Sequence, residues 1–102
     1  MAKLVVLYKK PADKDAFDSY YLSKHVPIAK RIPGLRSYEI STGPVASPAG
    51  DSPFHLVALL GFDSLEAIQQ GMSSSEGAAA AADLGNFAQA GADLLIFDTK
   101  EV

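Results

Sequence analysis

Residues Phe54–Phe62 have the sequence FHLVALLGF, an almost continuous apolar run that ends at Asp63. Lys3–Lys9 (KLVVLYK) and Asp93–Asp98 (DLLIFD) have the same character. Because successive side chains of a strand point to opposite faces of its sheet, a continuous apolar run predicts a strand covered on both faces. Leu35–Thr42 (LRSYEIST) instead alternates apolar and polar residues, which is typical of a strand with one wet face or at a sheet edge.

A helix is predicted between the first two strands. Asp13 is a suitable N-cap, and the residues at helical spacing after it are Phe17, Tyr20, Tyr21, Lys24, His25 and Ile28. Pro27 has no N–H group and its ring opposes the carbonyl four residues earlier, so we expect the helix to kink or end near Val26. The dipeptide Pro33-Gly34 predicts the turn into the second strand.

Two shorter helices are predicted between the last two strands, each from a capping box. Asp63 and Glu66 begin the first, and Ser73 and Glu76 begin the second. In the first helix, the side chains expected to face inward are Leu65, Ile68 and Met72. The second carries five consecutive alanines, residues 78–82, and alanine both favours helix and lets a helix approach a sheet closely.

The segment Gly43–Pro53 (GPVASPAGDSP) is rich in glycine, proline and serine. This composition predicts a mobile hairpin loop between the second and third strands. Such a loop is either a lid over a cleft or a loose hairpin without a role, and the sequence leaves both interpretations open.

The predicted order of elements is βαββαβ, over a single domain of residues 1–102. Right-handed crossovers place both helical regions on one face of a four-stranded antiparallel sheet, which is the ferredoxin-like α+β fold. This topology has the first and third strands at the centre and the second at an edge. The apolar content agrees, since the first and third strands are the richest in apolar residues.

Helices on one face of the sheet leave its other face uncovered. Alternation separates two apolar sets in the central strands, one of Leu4, Val6, Leu56, Ala58 and Leu60 and one of Val5, Leu7, Val57 and Leu59. Monomers rarely leave such an apolar patch in contact with water. We therefore expect a homodimer that packs sheet to sheet, the alternative being a monomer with a mildly apolar sheet face.

The composition excludes several classes of partner. The 102 residues have a net charge of −3, so binding to nucleic acid or to anionic membrane is not expected. The absence of cysteine excludes disulfides, a thiolate nucleophile and cysteine-ligated metal. No apolar run is long enough for a membrane span or a signal-peptide core, and we expect a cytoplasmic protein. Glycine-rich nucleotide motifs and G-x-S-x-G do not occur.

Five segments occur in order along the chain: KLVVLYKKP, FDSYY followed by HVP, IPGLRSYE, FDSLEA and AADLGNF. Together they span nearly the whole chain, and they resemble the EthD-like family, which is associated with bacterial degradation of ethyl tert-butyl ether. The resemblance implies the dimeric α/β-barrel superfamily, in which two ferredoxin-like subunits close their sheets around an apolar interface. That superfamily includes cofactor-free monooxygenases, cyclases, dehydratases, isomerases and haem-binding enzymes, so the fold does not select a reaction.

His25 is the candidate catalytic residue. An imidazole both accepts and donates protons near pH 7. From the last helical turn before Pro27, we expect His25 to face the space between helix and sheet. The resemblance implies that it matches the histidine of the family's H-x-P segment, beside a substrate cavity. The alternative is that His25 caps the C-terminus of the helix, where a partial negative charge favours imidazolium.

Tyr8, Tyr20, Tyr21 and Tyr38 are the candidate substrate-binding residues, because a phenol hydroxyl can orient a carbonyl or share a proton with a histidine. Neighbouring residues of a helix point about 100° apart, so Tyr20 and Tyr21 cannot line one pocket equally. Tyr21, one turn before His25, is expected on the same face as the histidine. For each tyrosine the alternative is a core aromatic with its hydroxyl at the rim.

No metal site and no cofactor are expected. His25 and His55 are 30 positions apart and lack the spacing of a zinc motif. His55 is expected at the surface or at the rim of the dimer. Haem ligation by His25 stays an alternative by analogy with the superfamily.

The leading hypothesis is a cofactor-free homodimer that binds a small apolar or aromatic oxygenated compound between helices and sheet. His25 would serve as acid or base in an isomerisation, dehydration, cyclisation or oxygenation. The competing hypotheses are a non-catalytic binding or accessory protein for a catabolic enzyme, and a haem-handling protein.

Overall fold

The apolar run Phe54–Phe62 forms a strand in the middle of a four-stranded antiparallel sheet. The structure is a computed structural model that describes residues 1–102. From edge to edge the sheet consists of β2 (Ser37–Ile40), β5 (Phe54–Phe62), β1 (Ala2–Lys9) and β6 (Ala92–Asp98). As predicted, the first and third long strands of the chain, β1 and β5, are the central ones. The ferredoxin-like α+β fold is confirmed.

The edge strand β2 is shorter than the predicted Leu35–Thr42. Its pairing with β5 nevertheless continues by one residue at each end, because the amides of Arg36 and Ser41 donate to the carbonyls of Gly61 and Val57 at 2.8 Å. The following loop contains a small hairpin of its own, in which β3 (Ala46–Ser47) pairs with β4 (Gly50–Asp51).

One helical stretch connects β1 to β2, and it has three parts. These are α1 (Lys14–Tyr20), a π-helical segment (Tyr21–His25) and α2 (Val26–Ala29). As predicted, Asp13 is the N-cap, and its side chain accepts a hydrogen bond from the amide of Ala16 at 3.0 Å.

Pro27 does not end this helix, which continues to Ala29. The irregularity predicted at Val26 takes the form of a wider turn, since the Val26 amide donates to the Tyr21 carbonyl five residues earlier. A π-type turn of this kind accommodates the missing N–H and the bulk of the proline ring within a continuous helix. The side chains of Tyr21 and His25 are both buried there.

The second helical region consists of α3 (Leu65–Ser73) and α4 (Ser75–Phe87). The predicted N-caps, Asp63 and Ser73, are each one residue too early. Ser64 accepts from the amide of Ala67 and Ser74 accepts from that of Gly77, both at 3.0 Å.

Two side chains of this region differ from the prediction as a result. Asp63, outside the helix, pairs instead with the guanidinium of Arg36 at 2.9 Å. Leu65 becomes the first residue of α3 and is 46% exposed, so it does not face inward as predicted. Ile68 and, in part, Met72 do pack against the core. None of the helices is long and apolar enough to cross a membrane.

All helices lie on one face of the sheet, which we call the covered face. Its core side chains from the two central strands are Ala2, Leu4, Val6, Tyr8, Leu56, Ala58, Leu60 and Phe62. The opposite, open face carries a cross-strand apolar row in which Leu95, Val5 and Leu59 lie side by side. Leu95 is 53% and Leu59 38% exposed, so this row is in contact with solvent in the single chain.

Gly77 marks the closest contact between α3 and α4. A Cβ at this position would lie 2.2 Å from the carbonyl oxygen of Gly71 and 2.6 Å from the Cα of Met72. At Gly85, two turns later in the same helix, a Cβ would meet nothing within 4 Å.

We therefore expect opposite effects from the same substitution at these two glycines. Gly77→Ala should lower the free energy of unfolding by about 1–3 kcal/mol, because backbone atoms must move apart. Gly85→Ala should raise it by about 0.5–1 kcal/mol through helix propensity alone. Urea unfolding of both variants measures the difference, and equal effects at the two positions would contradict the close contact.

Candidate functional site

His25 and Asp83 form a buried pair between the first helix and α4. The Nδ1 atom of His25 lies 2.9 Å from Oδ2 of Asp83, and each side chain is only 6% exposed. A carboxylate only accepts hydrogen bonds, so Nδ1 carries a proton, and in the neutral imidazole the lone pair is then on Nε2. The C-terminal cap that was the alternative for His25 is not formed, because the imidazole is bonded to Asp83 instead.

The Asp83 carboxylate is held by three donors. Its Oδ1 accepts from the Tyr20 hydroxyl at 2.7 Å and from the Asn86 amide at 3.0 Å, while His25 occupies Oδ2. Burial by itself raises the pKa of the Asp83 carboxyl, but the hydrogen bonds from Asn86, Tyr20 and His25 outweigh it and hold that pKa below its ordinary value. Asp83 is therefore ionised at neutral pH.

Three further tyrosines lie on the other side of the imidazole. Tyr8 comes from β1, Tyr21 from the π-helical segment and Tyr38 from β2, and the Tyr21 and Tyr38 hydroxyl oxygens are 2.6 Å apart. Burial is the main cause that raises the pKa of all three phenols. They are neutral at physiological pH and act as hydrogen-bond donors or acceptors rather than as phenolates.

These groups surround a small cavity, which we call the inner pocket. It has a volume of about 30 Å³ and is lined by His25, the three tyrosines and apolar side chains of the covered face and the helices. Nε2 of His25 has no hydrogen-bond partner in the chain, and no fully buried polar side-chain atom lacks one. Nε2 therefore borders accessible space, which has room for about one water-sized group.

The predicted site residues are brought together with one exception. Tyr21 lies on the same face as His25, with their ring centres 5.3 Å apart, and Tyr8 and Tyr38 line the same pocket. Tyr20 does not line it, because its ring stacks on Phe87 and its hydroxyl is directed to Asp83. Tyr20 therefore lies outside the inner pocket and holds the partner of His25, and its part in substrate binding stays a prediction.

Asp83 was not among the residues predicted for the site. A signal for it exists, because Asp83 lies at helical spacing between Ala80 and Phe87, on the face of α4 that is otherwise apolar and buried. A carboxylate on such a face must have partners, since an isolated buried charge is strongly unfavourable.

His55 is partly exposed near the start of β5, and its predicted place at the rim of a dimer stays a prediction. The pairing of β1 with β5 contains a bulge between Tyr8 and Lys9. Tyr8 pairs with Leu56 and Lys9 with Phe54, so His55 has no partner in β1. Its side chain, 17% exposed, packs edge-on against Phe17 and places Nε2 2.7 Å from Oδ1 of Asp18.

His55 and Asp18 lie in a second and larger cavity, which we call the outer cleft. It has a volume of about 470 Å³ and lies between the first helix, the end of β2, the start of β5 and the loop Gly43–Pro53. Tyr21 lines both the outer cleft and the inner pocket. An ion pair between Asp51 and Lys10, the residue that follows β1, holds the loop in place.

The arrangement offers no group of three or more His, Asp or Glu side chains that could hold a metal ion. Haem ligation by His25 also fits poorly, because about 30 Å³ beside Nε2 is far too small for a porphyrin. The chemistry that the site does support is proton transfer at Nε2, with phenol hydroxyls to orient an oxygen atom.

A family model described as the EthD domain matches residues 9–91. The chain belongs to the EthD family. An EthD family protein from Bacillus halodurans is 39% identical, with 98% of this chain and 99% of that chain covered and a TM-score of 0.89. An uncharacterised 11.0 kDa protein from Rhodococcus erythropolis is 38% identical over 103 residues, which cover 100% of this chain and 98% of that protein.

More distant structures share the fold alone. SnoaB, a cofactor-independent oxygenase from Streptomyces nogalater, is 13% identical with a TM-score of 0.70, covering 99% of this chain and 94% of that chain. A dimeric protein of unknown function with a ferredoxin-like fold from Bacteroides fragilis is 17% identical with a TM-score of 0.65, covering 96% of this chain and 95% of that chain.

The lowered pKa of Asp83 implies that the free energy of unfolding depends on pH in the acid range. Because the carboxyl has a lower pKa in the folded than in the unfolded chain, its stabilising contribution is complete above about pH 5 and is lost as the pH falls below about 4. Asp83→Asn should therefore lower the free energy of unfolding by about 1–3 kcal/mol at pH 7. The difference from the wild type should shrink as the pH falls to about 2.

Asp15→Asn is the matched control, since Asp15 is an exposed acid of the first helix that makes no side-chain hydrogen bond. Urea unfolding of the three proteins from pH 7 to pH 2 measures both effects. A difference between Asp83→Asn and wild type that stays constant with pH would contradict the ionised, hydrogen-bonded carboxylate.

Proposed function

We propose that this EthD family protein is a small cytoplasmic homodimer with a catabolic role, and that it performs cofactor-free acid/base chemistry on a small oxygenated apolar or aromatic compound. The supporting observation is the His25–Asp83 pair, in which Nδ1 is bonded to the carboxylate and Nε2 has no partner in the chain, in a histidine that lines a pocket whose other polar groups are phenol hydroxyls. The reaction class is isomerisation, dehydration, cyclisation or oxygenation.

The Asp83 carboxylate gives His25 the properties of a general base. By accepting a hydrogen bond from Nδ1–H it selects the tautomer with a free Nε2 lone pair, and its negative charge stabilises the imidazolium that forms when Nε2 takes a proton. Tyr20 and Asn86 keep the carboxylate in place from its other oxygen. In the return step the same imidazolium donates its Nε2 proton to the product.

The tyrosines complement this base. A negative charge that develops on a substrate oxygen would be stabilised by hydrogen bonds from neutral phenols in a pocket with few competing waters. The raised pKa of Tyr8 and of Tyr38 keeps these hydroxyls protonated for that role. The fold shared with a cofactor-independent oxygenase is compatible with such chemistry.

A substitution of His25 tests the proposal. Compounds are first selected by thermal shift from phenols, quinones, lactones and small alcohols, because a ligand of the folded state raises the melting temperature. Each hit is then assayed for turnover. His25→Gln should lower kcat about 10²–10⁴-fold, the usual contribution of a general base, with ligand affinity largely retained. The variant also loses the Nδ1 hydrogen bond to Asp83, so turnover is compared at a temperature well below the melting temperature of every variant.

Lys24→Gln is the control, because Lys24 is the exposed neighbour of His25 and lines neither cavity. Turnover that is equal in His25→Gln, Lys24→Gln and wild type would overturn the catalytic role. Ligand binding without turnover in any of the three would indicate instead a binding protein.

The open face of the sheet supports the homodimer. Its exposed apolar side chains include Leu59, Leu95 and Phe97, and monomers rarely expose a patch of this kind. On the same edge strand Leu94 and Ile96, which point to the other side, are also exposed. A second copy would cover the patch with a self-complementary contact.

Leu95→Lys should therefore dissociate the dimer, because it places a charge on the most exposed side chain of the apolar row. Leu65→Lys serves as its counterpart, since Leu65 is a similarly exposed leucine on α3, away from the open face. Size-exclusion chromatography with light scattering at micromolar concentration should show a monomer for the first variant and a dimer for the second. A monomeric wild type would rule the dimer out.

A further inference from the structure

We propose that the outer cleft binds the body of a small aromatic anion, such as an aromatic carboxylate or phenolate. This inference rests on the proposed function, in that it assigns the place and the charge of the compound that the protein binds. The two cavities differ greatly in volume. The inner pocket, at about 30 Å³, admits only a single functional group, whereas the outer cleft has about 470 Å³, within the range typical of small-molecule sites.

The cleft offers an apolar surface for a flat ring. Its apolar lining includes Ile40 and Phe54, which are partly exposed, and Tyr21 and Leu56, which are buried in its wall. The ring of Phe54 favours offset or edge-on contacts with a second ring. The shared residue Tyr21 places this surface directly beside the inner pocket.

Of the two lysines that line the cleft, only Lys10 forms an ion pair. Five charged or titratable side chains face the cleft: Lys10, Lys14, Asp18, Asp51 and His55. Both acids are engaged within the chain, Asp51 by Lys10 and Asp18 by His55. Lys14 forms no ion pair, although its charge contributes to lowering the pKa of Asp51. The free ammonium group of Lys14 therefore favours a ligand with a negative charge.

The position of Lys14 also fits a ligand with one charged end. Lys14 is the first residue of α1, and Tyr21 follows two turns later on the side of the helix that lines the cleft. A ligand that contacts both has its anionic group at the outer end and its ring toward the wall shared with the inner pocket.

Benzoate is the probe for this site and benzamide its neutral counterpart of nearly the same shape. In ¹H–¹⁵N spectra of the full chain, benzoate should shift the amide signals of residues 40–45 and 54–56. Lys14→Gln should weaken benzoate binding about fivefold, the effect of one partly exposed charge contact, and leave benzamide binding unchanged. Lys24→Gln, which removes the same charge from the same helical stretch outside the cleft, should leave both affinities unchanged.

The inference is overturned by no benzoate binding at millimolar concentration, by shifts confined to the surroundings of His25 and Asp83, or by equal weakening in Lys14→Gln and Lys24→Gln. These outcomes are distinct from failure of the proposed function. If benzoate binds the cleft but no compound shows His25-dependent turnover, the cleft assignment stands and the catalytic role of His25 falls. If turnover depends on His25 but benzoate does not bind the cleft, the catalytic role of His25 stands and the cleft assignment falls.

Discussion

The alternation of side chains along β1 and β5 is the constraint on which the rest of the structure depends. Both strands are apolar at nearly every position, so each contributes one set of apolar side chains to the covered face and one to the open face. The helices have enough surface for one set only. They supply the core and the candidate site on the covered face, and they leave on the open face the apolar row that supports the proposed dimer.

The buried, ionised carboxylate of Asp83 determines how the candidate site is arranged. Asp83 occupies a position of α4 that is otherwise apolar, and an unpaired carboxylate there would be strongly unfavourable. The donors that compensate it are Tyr20 and His25 from the first helix and Asn86 from α4 itself. The hydrogen bond to Asp83 therefore fixes the orientation of the His25 ring.

Most of the fold could be predicted from local sequence patterns. Continuous apolar runs indicate the central strands, and alternation indicates the edge strand β2. The sequence predicts the N-caps of α3 and α4 one residue too early, because Asp63 and Ser73 have the same capping chemistry as Ser64 and Ser74. The helix across Pro27 was harder to predict, because a wider turn accommodates proline as well as a helix end does.

The site was predictable only in part, for a physical reason. Tyr21 and His25 are one turn apart on one element, so helical spacing is enough to place them together. Asp83, Tyr8 and Tyr38 join them from other elements, and the side on which Tyr20 lies depends on how α4 packs. Residue spacing along one strand or helix carries no information on such contacts. His55 shows the same limit, since a single bulge in the pairing of β1 with β5 redirects its side chain.

The two hydrogen bonds that tie the helices together join residues far apart in the chain. His25 is 58 positions from Asp83, and Tyr20 is 63. Contacts of this separation form only after the intervening chain has closed a large loop, at a cost in conformational entropy. The first helix can form early with its histidine, but without α4 that imidazole has neither a fixed tautomer nor a counterion. The pair thus forms only where the first helix and α4 have docked, and a chain in which they are not docked contains the histidine without its acid.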